Sequence, residues 1–351
     1  MTYIAKPKAH HPSLKKNAIG LTRRDYEGAI TTLCAGCGHD SITAAIIQAF
    51  WELDIAPHTV AKLSGIGCSS KTPAYFLKEA HGFNSVHGRM PAIATGAGAA
   101  NQTLTMIGVS GDGDSLSIGL GQLCHAIRRN VNMLYVLENN GVYGLTKGQF
   151  SASADPGSTA KKGEANTMQA IDGALLALTL GATFVARSFS GDKHQLVPII
   201  QAGIAHRGFA FVDVISPCVT FNDHDGSTKS YSYVKDHEEP LGEISFVPFF
   251  EDINVEYDPG TTTAVTLHNG SKLLLSKLAQ DYNPTDKHRA LSLLRESAAR
   301  DEFATGILYV EPDKQDFIEL LGLVDEPLAS LDESRTRPGK AALDEIMESF
   351  R

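Results

Sequence analysis

Short, continuous runs of apolar residues alternate along the chain with stretches in which apolar residues recur every three or four positions. The clearest example begins with the apolar run at residues 104–109, which is typical of a strand buried in a parallel sheet. Residues 115–129 follow with leucine and isoleucine side chains on one helical face, and residues 132–137 are apolar again. This pattern predicts a strand–helix–strand unit with two parallel strands.

The same alternation continues on both sides of this unit. Further strands are predicted at residues 59–63, 83–86, 183–186, 210–214 and 306–310. Further helices are predicted at residues 39–54, 72–80, 91–102, 170–180, 194–206, 271–280 and 287–299, the first of them capped by Asp40. Polar stretches at residues 151–165 and 219–258 are expected to be irregular. Such alternation predicts an α/β fold, a mostly parallel sheet with helices on both faces.

Charge and composition narrow the classes of partner. A formal net charge of -9 disfavours nucleic acid or an anionic membrane as the main partner. No apolar run approaches the roughly 20 residues that span a bilayer, and the first residues lack the apolar core of a signal peptide. Five cysteines, an odd number scattered over a long chain, argue against a secreted disulfide framework. We therefore expect a cytoplasmic protein.

A Gly-Asp-Gly sequence follows the strand of the central unit. Gly111, Asp112 and Gly113 lie between that strand and its helix, where free backbone N–H groups and the helix dipole attract phosphate. Asp112 offers a hard oxygen ligand for Mg²⁺, and Asn140, at the end of the next strand, reaches the same crevice. A backbone carbonyl near Val142 could complete the site. A simple tight turn is the alternative, but the second motif at Asn140 favours a metal-bound diphosphate.

Four of the five cysteines lie in turns that contain glycine or proline. These are Cys34, Cys37, Cys68 and Cys218. One close pair and two distant single cysteines can complete a four-thiolate shell around an iron–sulfur cluster. A structural zinc site is the first alternative, although such sites usually contain two close pairs; four unrelated buried thiols are the second. Cys124 lies within a predicted helix and is expected in the core.

Several motifs together resemble the β subunit of 2-oxoacid:ferredoxin oxidoreductases over residues 30–225. They are Leu33-Cys34-Ala35-Gly36-Cys37-Gly38-His39, Gly65-Ile66-Gly67-Cys68-Ser69, His87-Gly88-Arg89, Gly111-Asp112-Gly113-Asp114, Tyr143-Gly144-Leu145-Thr146-Lys147-Gly148-Gln149 and Ser216-Pro217-Cys218. The resemblance implies a thiamine diphosphate-binding fold. It weakens in the N-terminal arm and over the last hundred residues. We expect three segments: a basic, proline-containing arm at residues 1–28, a cofactor-binding domain at residues 29–225, and a C-terminal extension at residues 226–351 that is either a subunit contact or a solvated stretch.

The resemblance further implies a set of cofactors and ligands. Asp112, Asn140 and the Val142 carbonyl would bind Mg²⁺ on the diphosphate, and the four cysteines would bind one [4Fe-4S] cluster. Cofactor contacts are implied for residues of the same motifs, namely Gly65, Ile66, Gly67, His87, Gly111, Asp112, Gly113, Asp114, Asn140, Val142, Tyr143, Gly144, Leu145 and Thr146. A separate α subunit, in an α₂β₂ assembly, commonly supplies the carboxylate that activates the cofactor, so no catalytic acid or base is expected in this chain.

The implied reaction is the reversible, coenzyme A-dependent oxidative decarboxylation of a 2-oxoacid, with electrons passed through the cluster to ferredoxin. Lys147 is the candidate substrate contact, because a cation there could pair with a second carboxylate. An exposed lysine, or one bound to a cofactor phosphate, is the alternative. The loop around Lys147 resembles that of 2-oxoglutarate and broad-range enzymes, so 2-oxoglutarate is the first choice and pyruvate or branched-chain 2-oxoacids come next. His87 and Arg89 could bind diphosphate or substrate, or Arg89 could lie in a surface turn. His39 is interpreted as part of the helix cap, with a supporting position next to the cluster as the alternative.

Two other functions remain as alternatives. One is a non-redox thiamine diphosphate enzyme with a structural zinc ion, which iron content and visible absorption would distinguish. The other is an assembly subunit that binds the α subunit without a cofactor. Loss of thiamine diphosphate on replacement of Asp112 would argue against that second alternative.

Overall fold

The computed structural model of the chain describes residues 12–158, 165–221, 253–266, 272–337 and 339–351. Four sequence predictions fall partly outside these described residues: the N-terminal arm, the loop at residues 151–165, the irregular stretch at residues 219–258 and the C-terminal extension at residues 226–351. No helix within the described ranges combines the length and the apolar character that crossing a bilayer requires.

A nine-stranded sheet organises the described part of the chain. The strands are β1 (Val60–Ser64), β2 (His81–Asn84), β3 (Thr105–Gly111), β4 (Met133–Asn139), β5 (Val142–Tyr143), β6 (Gln149–Phe150), β7 (Phe184–Phe189), β8 (Phe209–Ile215), β9 (Thr262–Thr266), β10 (Lys272–Lys277) and β11 (Phe303–Val310). The sheet order is β2-β1-β3-β4-β8-β7-β11-β10-β9, and β5 and β6 form a separate hairpin. In this order the first six strands (β2, β1, β3, β4, β8 and β7) are parallel. Strand β11 runs antiparallel to β7, and β9 runs antiparallel to β10.

Helices cover both faces of this sheet, as the pattern of apolar residues predicts. They are α1 (Gly38–Glu52), α2 (Thr72–Tyr75), α3 (Met90–Ala100), α4 (Leu120–Arg128), α5 (Gly173–Leu180), α6 (Lys193–Ala205), α7 (Lys287–Ala298), α8 (Phe317–Leu321), α9 (Glu333–Thr336) and α10 (Lys340–Ser349). Helices α1 and α6 pack together over one apolar cluster, and α3, α4, α5 and α7 pack over another. The predicted fold class is therefore confirmed, with most predicted elements within three residues of the observed ends.

The helix predicted at residues 271–280 is wrong, because Lys272–Lys277 form strand β10. Leu273 and Leu275 are buried and alternate with exposed neighbours, which is the period of a strand. Leucine and lysine favour helices when considered alone, but here β10 pairs with β9 on one side and with β11 on the other. Strand β9 was not predicted. Both strands extend the sheet that the preceding domain begins.

The helix predicted at residues 72–80 is also too long, since α2 ends at Tyr75. Phe76 is extended and Leu77 has a φ of 45°, which a helix does not allow. The buried ammonium group of Lys62 donates hydrogen bonds to the carbonyl oxygens of Phe76 and Leu77, at 2.6 and 2.9 Å. These bonds hold the chain in a turn at this point.

Two helix starts differ from the prediction. Cys37, rather than Asp40, is the N-cap residue of α1, and Asp40 lies within the first turn. The helix predicted at residues 115–129 begins as a π-helical segment, Gly113–Ile118, before α4. Because π-helical turns often occur at functional sites, the residues directly before this segment are candidates for a functional site.

Candidate functional site

The predicted motifs meet at one edge of the sheet. Gly65 directly follows β1, Asp112 follows β3, Asn140 follows β4, and Cys218 lies three residues beyond the end of β8. These four strands are neighbours and parallel, so their carboxyl ends lie side by side. In open α/β sheets this is where ligands bind.

The carboxylate of Asp112 is buried and held by three donors. Its Oδ2 atom accepts hydrogen bonds from the Gly141 backbone N–H at 2.8 Å and from the hydroxyls of Ser151 and Ser153, each at 2.5 Å. The side chain is only 2% exposed. The carboxylate orientation is therefore fixed before any ligand binds, as a metal ligand requires. Sequence reasoning missed both serines, because they lie in a loop without a recognisable motif.

Asn140 is connected to a buried histidine and a buried glutamate. Its Oδ1 atom accepts a hydrogen bond from the Val142 backbone N–H at 3.1 Å, and its Nδ2 atom lies 3.5 Å from His39 Nε2. Glu138 Oε2 lies 3.3 Å from His39 Nδ1, although no aligned hydrogen bond reaches this nitrogen within the described residues. His39 thus lies in the first turn of α1 with its side chain directed toward Asn140 and Glu138.

Burial disfavours the charged form of both groups of this pair. Burial lowers the pKa of His39 to about 4 and raises the pKa of Glu138 well above its usual value. The hydroxyl of Thr72 donates to Glu138 at 3.0 Å, which partly offsets the effect of burial on its pKa. Glu138 was not predicted, because a single glutamate within an apolar strand carries no motif.

The Gly-Asp-Gly segment forms a tightly packed cradle. A Cβ atom on Gly113 would lie 2.5 Å from the ring of Tyr143, so only glycine fits beneath this ring. The Tyr143 hydroxyl donates to the Gly113 carbonyl at 2.7 Å. A Cβ on Gly65 would lie 2.3 Å from the Ser110 hydroxyl. The backbone N–H groups that open the π-helical segment are thereby held at the strand ends, where they can bind phosphate.

Asp114 orients a neighbouring turn. Its Oδ1 atom accepts a hydrogen bond from the Gly88 backbone N–H at 2.7 Å, and its Oδ2 atom accepts one from the Ser110 hydroxyl at 3.0 Å. Asp114 is 3% exposed. These bonds fix the turn that carries His87 and Arg89, both of which are exposed. Direct contact of these three side chains with a cofactor stays a prediction.

A cleft of about 370 Å³ opens beside this cradle. It is lined by Ile66, Gly67, Ser70, Asn84, Ser85, Val86, His87, Tyr143, Leu145 and Thr146. The hydroxyl of Ser85 is buried and has no hydrogen-bond partner among the described residues. An unpaired buried hydroxyl costs about 1–3 kcal/mol, so a bound polar ligand would relieve this cost. Ser85 and Asn84 were not predicted from the sequence.

The four predicted cysteines converge next to the cleft. A Cβ on Gly144 would lie 3.2 Å from Cys68 Sγ and 3.8 Å from Cys218 Sγ, so both thiols approach the same point of the backbone. The hydroxyl of Thr220, two residues after Cys218, lies 3.5 Å from Cys34 Sγ. Cys37 follows Cys34 by one turn, with its N–H bonded to the Cys34 carbonyl at 3.0 Å.

The pKa shifts of the cysteine thiols also indicate that these thiols lie near one another. Burial, together with the neighbouring thiols of Cys218 and Cys34, raises the pKa of Cys68 to about 11. Burial also raises the pKa of Cys37, and Cys218 adds to this shift. Four thiols in one place need a positive centre to become thiolates, and a bound metal supplies one.

Among the described residues, no three or more His, Cys, Asp or Glu side chains are arranged to hold a single metal ion. Zinc binds thiolates at about 2.3 Å in a compact tetrahedron, whereas a four-iron cluster places iron and sulfide between its ligands.

Cys124 lies on α4, where it is half-buried rather than in the core.

Lys147 lies at the tip of the β5–β6 hairpin. Its side chain is exposed, and its φ of 78° is unusual for a residue with a Cβ. The Lys147 backbone N–H bonds to the Gly144 carbonyl at 3.1 Å, and Gly148 follows with a φ of 100°. This strained turn places Lys147 next to Leu145 and Thr146 of the cleft wall.

A buried polar network connects Asp112 with a more distant ion pair. The Ser153 hydroxyl also contacts Asn139 Oδ1 at 2.9 Å, and Asn139 Nδ2 donates to Asp213 at 3.0 Å. Arg187 donates to Asp213 at 2.9 Å. The two amides of the Asn139-Asn140 pair therefore differ in their contacts: the first supports the loop that holds Asp112, and the second lies beside His39.

Comparison with known proteins agrees with this geometry. Residues 65–214 match the family model of the thiamine pyrophosphate enzyme, C-terminal TPP binding domain. A 2-oxoglutarate synthase subunit KorB of Methanocaldococcus jannaschii is 35% identical over 212 residues, which are 60% of this chain and 75% of the relative. A 2-oxoglutarate oxidoreductase subunit KorB of Mycobacterium tuberculosis is 41% identical over 220 residues, which are 60% of this chain and 58% of that protein.

Two further proteins are similar to this chain. The 2-oxoacid:ferredoxin oxidoreductase subunit beta of Sulfolobus sp is 44% identical over 191 residues, which are 54% of this chain and 63% of the relative. The structure of 2-oxoglutarate:ferredoxin oxidoreductase from Magnetococcus marinus, with 2-oxoglutarate, coenzyme A and succinyl-CoA bound, aligns with a TM-score of 0.71 and 29% identity over 92% of this chain and 98% of that one. The aligned part of this chain therefore spans about three fifths of the length of the M. tuberculosis and Sulfolobus relatives. This chain belongs to the family of β subunits of 2-oxoacid:ferredoxin oxidoreductases.

Proposed function

We propose that this chain is the cofactor-binding β subunit of a coenzyme A-dependent 2-oxoacid:ferredoxin oxidoreductase. It would bind thiamine diphosphate, Mg²⁺ and one [4Fe-4S] cluster. The observation that carries the proposal is that the buried Asp112 carboxylate, Cys68 and Cys218 all follow neighbouring parallel strands at the carboxyl edge of the sheet, next to a cleft lined in part by Gly67 and Tyr143.

The donor set suits a metal-bound diphosphate. Asp112 and Asn140 provide hard oxygen atoms, and the Val142 carbonyl lies in the same turn, as Mg²⁺ requires. The backbone at Gly113 accepts the diphosphate, since no side chain fits beneath Tyr143. The buried hydroxyl of Ser85, which has no partner among the described residues, offers a hydrogen bond to the cofactor or the substrate.

We propose that the cysteine set binds a four-iron cluster rather than a zinc ion. The thiols of Cys68 and Cys218 lie against Gly144, whose neighbours Tyr143 and Leu145 line the cleft. When bound, thiamine diphosphate supplies the carbanion chemistry of decarboxylation and the cluster supplies an outlet for single electrons. The residues of this chain hold the two groups next to each other, with Gly144 between them.

The substrate proposed first is 2-oxoglutarate. Support comes from the names of two relatives and from the Magnetococcus marinus structure, which contains 2-oxoglutarate and coenzyme A. Lys147 is proposed to pair with the distal carboxylate of this substrate, because it is exposed next to the cleft wall. Pyruvate and branched-chain 2-oxoacids, which lack that carboxylate, come second.

The cleft is open on one side, which supports a partner subunit. Val86 and Leu145 in the cleft wall are 68% and 50% exposed, and Ile118 at the end of the π-helical segment is 48% exposed. Apolar side chains grouped at a cleft in this way mark an interaction site. We propose that the α subunit covers them in an α₂β₂ assembly, that the segment from residue 226 onward also contacts it, and that the enzyme works in the cytoplasm with ferredoxin.

Co-expression with the α subunit tests this function. The purified complex is assayed anaerobically for reduction of a low-potential acceptor with a panel of 2-oxoacids, each with and without coenzyme A. We expect reduction that needs both substrates and is fastest with 2-oxoglutarate. Decarboxylation without any electron transfer to the acceptor would instead identify a non-redox thiamine diphosphate enzyme.

A further inference from the structure

A side-chain hydroxyl contacts one thiol of the proposed cluster site. The Thr220 hydroxyl bonds to Cys34 Sγ, with 3.5 Å between the oxygen and the sulfur. The two residues are 186 positions apart in the chain, and Thr220 lies in the turn after β8 that also carries Cys218. The bond therefore connects the two chain segments that provide Cys34 and Cys218.

Backbone N–H groups of the same turn reach a second thiol. Burial raises the pKa of Cys218, and hydrogen bonds from the backbone of Thr220 and Phe221 offset part of this shift. A lowered thiol pKa is the effect of a donor that stabilises the thiolate. The turn after β8 thus directs donors at two sulfur atoms, those of Cys218 and Cys34.

Thr220 must be the donor when Cys34 binds iron. A ligating cysteine is a thiolate and has no proton to donate, whereas a hydroxyl has one. Hydrogen bonds to a charged acceptor are stronger than bonds to a neutral one. Hydrogen bonds to the sulfur atoms are also among the factors that set the reduction potential of an iron–sulfur cluster.

We propose that the Thr220 hydroxyl raises the reduction potential of the cluster through its hydrogen bond to Cys34. This inference rests on the proposed function, since it takes Cys34 as a cluster ligand. Oxidative decarboxylation of one 2-oxoacid releases two electrons, which pass through the cluster one at a time to the acceptor. Each electron adds negative charge that the cluster shares with its thiolates, so the bond from Thr220 stabilises the reduced state more than the oxidised state. Thr220 is therefore a positioning residue that acts through Cys34.

Two pairs of side chains, each with and without a hydroxyl, test this proposal. Threonine and valine have nearly the same shape, and serine and alanine differ only by the hydroxyl. Complexes of the α subunit with the unchanged chain, Thr220→Val, Thr220→Ser and Thr220→Ala are titrated anaerobically with dithionite. The electron paramagnetic resonance signal of the reduced cluster gives the midpoint potential of each complex.

We expect Thr220→Val to lower the ratio of reduced to oxidised cluster about three- to tenfold at a given applied potential, the range expected for one hydrogen bond. For a one-electron couple this is a decrease of about 30–60 mV in midpoint potential, at about 59 mV per factor of ten. Thr220→Ala should lie below Thr220→Ser by a similar amount. The ratio in Thr220→Ser should stay within about twofold of the unchanged chain, because its hydroxyl is retained.

The direction of the shift separates the hydrogen bond from a change in packing. A loosened site admits water, which stabilises the added negative charge and raises the potential, whereas loss of the hydroxyl donor lowers it. Thr179→Val, at an exposed threonine on α5, is the matched control and should leave the potential unchanged. Iron content confirms that each variant holds a complete cluster.

The remaining outcomes separate this inference from the proposed function. If the unchanged complex contains no iron–sulfur cluster, the proposed function is wrong and the inference falls with it. If the cluster is present and Thr220→Val has an unchanged or higher midpoint potential, only the inference fails. If Thr220→Val does not assemble a cluster, the other pair decides: equal potentials in Thr220→Ser and Thr220→Ala contradict the proposal, and a lower potential in Thr220→Ala supports it.

Discussion

A single methyl group added at Gly113 is expected to weaken thiamine diphosphate binding. In Gly113→Ala the new Cβ would lie 2.5 Å from the Tyr143 ring, and ordinary contact begins at 3.4 Å. The ring must therefore retreat by about 0.9 Å, although its hydroxyl is bonded to the Gly113 carbonyl. Because Tyr143 lines the cleft, this displacement changes the shape of the binding site.

Overpacking of this kind costs typically 1–3 kcal/mol. If that cost falls on the bound state, the Kd for thiamine diphosphate rises roughly 5- to 150-fold, at about 1.4 kcal/mol per factor of ten. Titration calorimetry of the complex, at fixed Mg²⁺, measures this Kd. Thermal unfolding of the same samples shows how much of the cost falls on the fold instead.

Gly121→Ala is the matched control for this prediction. Gly121 lies on α4, and a Cβ there has no neighbour within 4 Å. Its replacement should leave cofactor binding unchanged and stabilise the helix by about 0.5–1 kcal/mol. Gly113→Ala combined with Tyr143→Ala removes the clash and should recover part of the lost affinity. A Gly113→Ala complex with unchanged Kd and unchanged melting temperature would refute the cradle described for Gly113.

Three further substitutions follow from the site. Asp112→Asn should weaken Mg²⁺ binding about tenfold or more, because an amide has a single oxygen that can serve either the buried donors or the metal but not both, and an unmet buried group costs about 1–3 kcal/mol; calorimetry with unchanged affinity would contradict this. Cys218→Ser should lower the iron content and bleach the visible absorption, whereas Cys124→Ser should leave both unchanged; equal effects would contradict the assignment of the four ligands. Lys147→Ala should raise KM for 2-oxoglutarate far more than KM for pyruvate, and equal changes in steady-state assays would exclude its role as a carboxylate partner.

The sheet and its edge could be predicted because each of its elements carries a local signal. Strands β3 and β4 are near-continuous apolar runs, and the motifs at Asp112 and Asn140 directly follow them. The carboxyl ends of neighbouring parallel strands lie side by side, so motifs that follow such strands come together even when they are far apart in the sequence. The grouping of the cysteines follows for the same reason, since Cys68 and Cys218 come after β1 and β8.

The residues that support the ligands could not be predicted in this way. Ser151 and Ser153 reach Asp112 only because a loop folds back over the strand ends. Glu138 lies within a fully buried strand, where its partner is contributed by a distant helix. The local sequence of β10 predicts a helix. It forms a strand because it pairs with β9 and β11 in the folded chain, and such tertiary pairing can override local propensity.

Metal and cofactor analysis of the anaerobically purified complex tests the central claim most directly. The claim predicts a brown protein with about four iron atoms per copy of this chain, since four thiolates hold one cluster. It also predicts bound thiamine diphosphate and a paramagnetic signal that appears when 2-oxoacid and coenzyme A are added. A colourless complex that contains zinc in place of iron, and that binds thiamine diphosphate without forming that signal, would contradict it.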